Sequence, residues 1–196
     1  MKFGVLGGTF DPPHAGHLAF AKAAIGRLEL DEVLLLPAYR NPIKTARSAS
    51  AKDRLEMVRR MAEGEPKLSV SDIEITRGGA SYMVETLMEL QMVRPGDYWL
   101  LLGADALRSF EAWKNPRKIL KLCRLGVAIR PPFSEADAMR GLSEEIREKV
   151  DLVPMKPIDI SSTELRARLE KGSGLVRLFL SAPVIQYIKQ SHLYGA

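Results

Sequence analysis

Short apolar runs alternate along this chain with longer stretches of helical spacing. Six runs have the length of a strand: Lys2–Leu6, Glu32–Pro37, Leu68–Ile75, Tyr98–Gly103, Arg124–Arg130 and Val150–Pro154. Within them, Phe3–Leu6, Val33–Leu36, Trp99–Leu102 and Leu125–Ile129 are apolar nearly throughout, as strands covered on both faces are. Between the runs, Leu18, Ala21, Ala24, Ile25 and Leu28 form one helical stripe. Leu55, Val58 and Met61 form a second, and Val84, Leu87, Met88 and Met92 a third. Ser134 predicts a cap for a helix running to about Lys149, with Glu135 and Asp137 favourable in its first turn. Ser162 or Thr163 caps another through Leu169, which Gly172 and Gly174 stop. Pro183 takes the first position of a last helix, Val184–Gln190.

Strands alternating with helices predict an α/β fold: βαβ units with right-handed crossovers, a mainly parallel sheet and flanking helices. Residues 160–196 read as a small helical C-terminal portion. No linker interrupts the chain, so the expectation is a single domain over 1–196. Asn41–Ser50 is polar and aperiodic and reads as a mobile loop, and Pro131–Pro132 ends the fifth strand.

A chain of 196 residues can bury a core without staples. Cys123 is its one cysteine, which excludes an intrachain disulfide and a cysteine metal cage. The N-terminus lacks a signal peptide's apolar core, and no apolar run approaches the roughly 20 residues that span a bilayer. The expectation is a cytoplasmic protein without a membrane partner. The formal net charge of +5 favours anionic partners. The basic residues are scattered, however, with Arg59–Arg60 the longest basic run and no aromatic-interleaved platform. That argues against nucleic acid and for phosphorylated small molecules. A homo-oligomer is compatible with this reading.

The chemistry concentrates at Gly7-Gly8-Thr9-Phe10-Asp11-Pro12-Pro13-His14-Ala15-Gly16-His17, between the first strand and the first helix. Ligands bind beyond the carboxyl ends of the strands in open parallel sheets. Gly7 and Gly8 allow close backbone approach, and the helix start directs free N–H groups and a positive dipole end at a phosphate. His14 and His17, at i and i+3, share one helical face. Two imidazoles beside a phosphate can donate hydrogen bonds to charge growing on the transferring group. A paired-histidine metal site with Asp11 nearby is the competing reading. A second signal is Ile160-Ser161-Ser162-Thr163-Glu164-Leu165-Arg166: hydroxyls and free amides at a helix start bind phosphate, and Arg166 can add a bidentate contact. Alone, that segment is equally a capping box with a solvated arginine.

The first segment resembles the Gly-x-Phe-Asp-Pro-x-His-x-Gly-His signature of the nucleotidyltransferase superfamily, and the second resembles its Ile-Ser-Ser-Thr-x-x-Arg motif. The resemblance implies a Rossmann-like, doubly wound sheet. It also implies in-line attack of a substrate phosphate on the α-phosphorus of ATP, with pyrophosphate leaving and Mg²⁺ carried on the ATP phosphates. His14, His17 and Arg166 would be catalytic. No protein metal ligands are expected.

Ser81-Tyr82-Met83-Val84-Glu85-Thr86-Leu87, Gly103-Ala104-Asp105, Phe110-Glu111-Ala112-Trp113 and the ending Pro183 to Tyr194 narrow the match. They resemble the bacterial nicotinate-nucleotide adenylyltransferases, which join ATP to nicotinic acid mononucleotide in NAD biosynthesis. That match implies ATP contacts from Gly7, Gly8, Thr9, Phe10, Lys44, Gly103, Asp105, Ile160, Ser161, Ser162 and Thr163. Asp105 would hold the ribose hydroxyls. It implies acceptor contacts from Tyr82, Met83, Thr86 and Trp113, with Trp113 stacking on the pyridine ring. Read from the residues alone, Trp113 is equally a core aromatic, Asp105 a helix cap and Lys44 a solvated lysine. Met83 stands where that family usually has threonine, and Ile43 where some members have histidine. The alternatives are a sister transferase using nicotinamide mononucleotide or phosphopantetheine, and a non-catalytic nucleotide-binding regulator. Phosphopantetheine enzymes typically carry threonine where His14 stands.

Overall fold

The computed structural model describes residues 1–40, 49–129, 134–156 and 158–195. Lys44, Ile43 and the rest of residues 41–48 lie outside the described residues, as do Pro131 and Pro132. The elements run β1 (Lys2–Gly8), α1 (Ala15–Leu28), β2 (Glu32–Pro37), α2 (Ala51–Ala62), β3 (Leu68–Val70), α3 (Ile73–Arg77) and α4 (Met83–Val93). They continue β4 (Asp97–Gly103), α5 (Ala104–Arg108), α6 (Pro116–Leu122), β5 (Arg124–Ile129), α7 (Glu135–Met139), α8 (Glu144–Arg147), β6 (Val150–Pro154), α9 (Ser162–Glu170) and α10 (Ala182–Gln190). Short 3₁₀ turns occupy Phe110–Ala112, Gly174–Leu178 and Leu193–Gly195.

The strands form one parallel sheet in the order β3-β2-β1-β4-β5-β6. Right-handed crossovers combined with a reversal of strand order put helices on both faces, which makes the fold Rossmann-like and doubly wound, as the sequence implies. The order reverses between β1 and β4, which pair in parallel from Lys2 opposite Asp97 to Val5 opposite Leu100. The carboxyl ends of these strands, at Gly7 and Gly103, flank the switch point where such sheets take ligands.

The chain packs as two compact units. One comprises Met1–Gly7, Phe20–Leu34 and Tyr82–Pro157, the other Gly8–Ala19, Leu35–Ser81 and Ile158–Ala196. In the first, Val5, Val33, Leu87, Leu100, Leu125 and Val127 are buried to within 1% of complete. A Cβ at Gly4 would come within 2.8 Å of both Leu30 and Val33, so this strand position must stay bare. In the second, Leu35, Leu36, Met57, Val58, Leu165 and Ile188 are completely buried. Among the described residues, no helix is long and apolar enough to cross a membrane.

Five local expectations need correction. The run Leu68–Ile75 is a strand only over Leu68–Val70. Asp72 stands at the N-cap position of α3, and the chain turns helical after it. The third apolar stripe follows Val84, Leu87 and Leu90, whereas Met88 and Met92 are 40% and 82% exposed. Two successive steps of three residues from Val84 reach Leu87 and Leu90, whereas Met88 and Met92, one and two steps of four away, drift round to the other side. The helix expected from Ser134 to Lys149 is two short ones. Ser134 does cap α7 through a capping box with Asp137, but Gly141 at φ 77° breaks the run and α8 restarts after Ser143. Finally, Ser161 caps α9, accepting the Glu164 N–H, and α10 begins at Ala182, so Pro183 is its second residue.

Candidate functional site

In the second unit the chain leaves β1 through Gly8, whose carbonyl accepts the Ala38 N–H at 2.9 Å. Phe10 takes a positive φ of 52° and is 1% exposed. Its ring lies 4.8 Å from that of His17. That burial outweighs the strain of the left-handed backbone, which costs on the order of 1–2 kcal/mol. Helix α1 starts at Ala15, whose N–H is bonded to the Phe179 carbonyl at 2.8 Å.

His14 and His17 stand with ring centroids 3.9 Å apart. The His14 backbone N–H donates to His17 Nδ1, and the Gly16 N–H donates to His14 Nδ1, each at 3.2 Å. An Nδ1 that accepts cannot carry the proton of a neutral ring, so both imidazoles take the Nε2–H tautomer. Burial pushes His14 from 6.5 down to about 4, so its ring is neutral near pH 7. The pair therefore presents two neutral Nε2–H donors.

Asp11 is 3% exposed. The Tyr194 hydroxyl donates to its Oδ1 at 2.6 Å, and Arg166 Nη1 lies 3.9 Å from its Oδ2. Burial first, and then the Asp11 carboxylate, raises the Tyr194 phenol above its ordinary value, so it stays a donor. Arg166 donates Nη1 to the Asp11 carbonyl at 2.7 Å and Nη2 to Thr163 Oγ1 at 3.2 Å. Ser162 donates its hydroxyl to the Pro12 carbonyl at 2.9 Å. The two motifs singled out in the sequence are thus bonded together within one unit. Ser161 serves the cap, and Ile160 is half-buried just ahead of it. Thr9 Oγ1 is buried without a hydrogen-bond partner.

The first unit carries the remaining candidates. A Cβ at Gly7 would come within 2.8 Å of Met83 Cε, so the tip of the Met83 side chain lies directly against the strand end. Tyr82 is the N-cap of α4 and Met83 its first residue. Thr86 is completely buried and turns its hydroxyl back to the Tyr82 carbonyl at 3.4 Å. Lys114 bonds Glu85 at 2.7 Å and lies 4.1 Å from the centre of the Tyr82 ring. Trp113 packs 5.6 Å from Phe110, with its Nε1 buried and unpartnered. Gly103 is the N-cap of α5, and Asp105 in the first turn pairs with Arg108 while remaining almost fully exposed.

Sequence reasoning missed three participants. Arg54 is completely buried and donates to the carbonyls of Thr9 at 2.7 Å and Tyr39 at 3.1 Å. A signal existed: Arg54 precedes Met57, Val58 and Met61 at helical spacing, so α2 buries an arginine on its apolar face. Tyr194 stood only as part of a terminal pattern, and nothing local links it to Asp11. Lys114 was passed over as one surface lysine among many.

Residues 5–168 match the cytidylyltransferase-like family. A Dehalococcoides mccartyi protein named probable nicotinate-nucleotide adenylyltransferase is 38% identical over 99% of this chain and 97% of its own. An Exiguobacterium sibiricum protein of the same name is 38% identical over the full length of both chains. A Plasmodium falciparum nicotinic acid mononucleotide adenylyltransferase, solved in complex with NaAD, superposes with a TM-score of 0.76. It covers 99% of this chain and 97% of that one at 19% identity, a likeness of fold.

Proposed function

The chain belongs to the cytidylyltransferase-like family and, within it, to the nicotinate-nucleotide adenylyltransferases, and we infer from this that it transfers AMP from ATP to nicotinic acid mononucleotide, releasing pyrophosphate. The acceptor's phosphate oxygen forms a bond to the α-phosphorus of ATP as the α–β phosphoanhydride bond breaks. Electrons and charge pass to the leaving pyrophosphate, and no group on the protein becomes covalently attached. Such a reaction demands positioning and charge stabilisation rather than a protein nucleophile.

The observation that carries this reading is the fixed tautomer of His14 and His17. Two neutral Nε2–H donors can bond to charge that builds on the transferring phosphoryl group without surrendering a proton. Thr9 Oγ1, buried without a partner, supports a further contact to ATP, since an unmade buried hydrogen bond costs about 1–3 kcal/mol. Arg166 and the start of α9 supply positive charge and free amides for the ATP phosphates. At the acceptor end, the first N–H groups of α4 precede any intrahelical partner and favour a carboxylate.

The described residues hold no group of three or more His, Cys, Asp or Glu able to hold a metal ion. The Asp11 carboxylate is engaged by Tyr194 and Arg166. We take Mg²⁺ to enter as part of the MgATP substrate, held by phosphate oxygens and water. A pyrophosphate-release assay tests the function: ATP with nicotinic acid mononucleotide should turn over, and phosphopantetheine should not. Turnover only with another acceptor would replace the substrate assignment, and none with any acceptor would favour a regulator.

A further inference from the structure

The end of α9, the turn that follows it and α10 line a concavity that holds none of the residues assigned to the transfer reaction. It has a volume of about 710 Å³, within the range of small-molecule sites. Lys171, Arg177, Lys189 and His192 line it, against one lining carboxylate, Glu170. Among the described residues, none of the three permanent cations makes an ion pair or a side-chain hydrogen bond. Lys171 and Lys189 sit at the ends of α9 and α10, where helix dipoles favour cations. Arg177 lies near the end of the short Gly174–Leu178 turn, with its side chain exposed. The floor is apolar: Leu169, Val176 and Ile188 are all within 6% of full burial.

We propose that this cavity is a binding site for a nucleotide, with the phosphates on Lys171, Arg177 and Lys189 and the base on the apolar floor. Three cations without an ion pair, against one lining carboxylate, call for a multiply charged anion, and the floor calls for a flat, weakly polar body attached to it. An occupant would touch His192 and Gly195, two residues before and one residue after Tyr194.

The chain has three histidines, so ADP can be titrated while all three imidazoles are followed by NMR. ADP should move the His192 signals with a half-saturation different from that of His14 and His17. The variant Lys171→Glu/Arg177→Glu should abolish the His192 response, leaving adenylyl transfer and the His14 and His17 responses intact. The milder Arg177→Gln, on an exposed side chain, should weaken the response about tenfold, as loss of one charged contact does. Inorganic phosphate at matched ionic strength should act far more weakly. The proposal is overturned by an unmoved His192, by a response that survives charge reversal, or by phosphate acting as well as ADP.

Discussion

The backbone N–H of His14 donates to Nδ1 of His17, so the chain that carries the first imidazole fixes the tautomer of the second. The role proposed for both rings is donation from a neutral Nε2–H. His17→Ala should keep the fold and ATP binding but lower kcat about 10²–10³-fold, the cost of one well-placed transition-state donor. His17→Gln, whose amide also donates, should recover part of that loss. Steady-state kinetics of the two variants decide it, and an unimpaired alanine variant removes His17 from the chemistry.

His14 also predicts a pH dependence of stability. Its value is about 4 in the folded chain against 6.5 for a free imidazole. Between these values the unfolded chain binds the proton and the folded chain resists it. Stability therefore falls as pH drops from about 6.5 to 4, by about 3 kcal/mol from this residue. Urea unfolding at pH 7 and pH 4 should show a smaller acid loss for His14→Gln than for the parent. Equal losses would mean that the ring is not held neutral by burial.

Tyr194→Phe leaves the buried Asp11 carboxylate without its 2.6 Å donor. The expected cost is about 1–3 kcal/mol in unfolding free energy. Because Asp11 adjoins the proposed ATP turn, the KM for ATP should rise more than that for the acceptor. Arg166→Ala should show the same asymmetry in calorimetric titrations of the two ligands.

Nicotinic acid mononucleotide should be used far better than the nicotinamide form. A carboxylate accepts hydrogen bonds only, whereas an amide turned toward N–H donors leaves its own donors unmet, at about 1–3 kcal/mol. Trp113→Ala should weaken both acceptors alike, since stacking does not distinguish them. Comparing kcat/KM for the two mononucleotides in parent and variant tests both statements, and equal parental values would remove the selective contact.

Transfer should stop in EDTA and return with Mg²⁺ in proportion to the MgATP formed. Full activity in the chelator would contradict entry of the metal on substrate.

The sheet was legible because apolar runs such as Val33–Leu36 and Leu100–Leu102 are buried throughout and too short to be helices of ordinary length. The ATP-side candidates were legible because glycines, histidines and hydroxyls lie close together in two segments. What could not be read is long-range. The bond from Tyr194 to Asp11 and that from Ser162 to Pro12 join segments whose spacing carries no periodic signal. Arg54 was hidden by its type, since an arginine on a helix normally faces water. Gly141 divided a capped helical run because one residue with positive φ ends a helix however favourable its start.

The contact between Asp11 and Tyr194 spans 183 positions, which matters while the protein is being made. A ribosome adding roughly 5–20 residues per second needs roughly 10–40 s to cross that interval. Through that interval the histidine turn is already made while the Asp11 carboxylate still lacks the phenol that donates to it. Helix α9, which brings Arg166 to the same turn, is also made only near the end of that interval. Nascent chains are therefore expected to hold their first motif unset, and to engage ATP only once translation has passed residue 194.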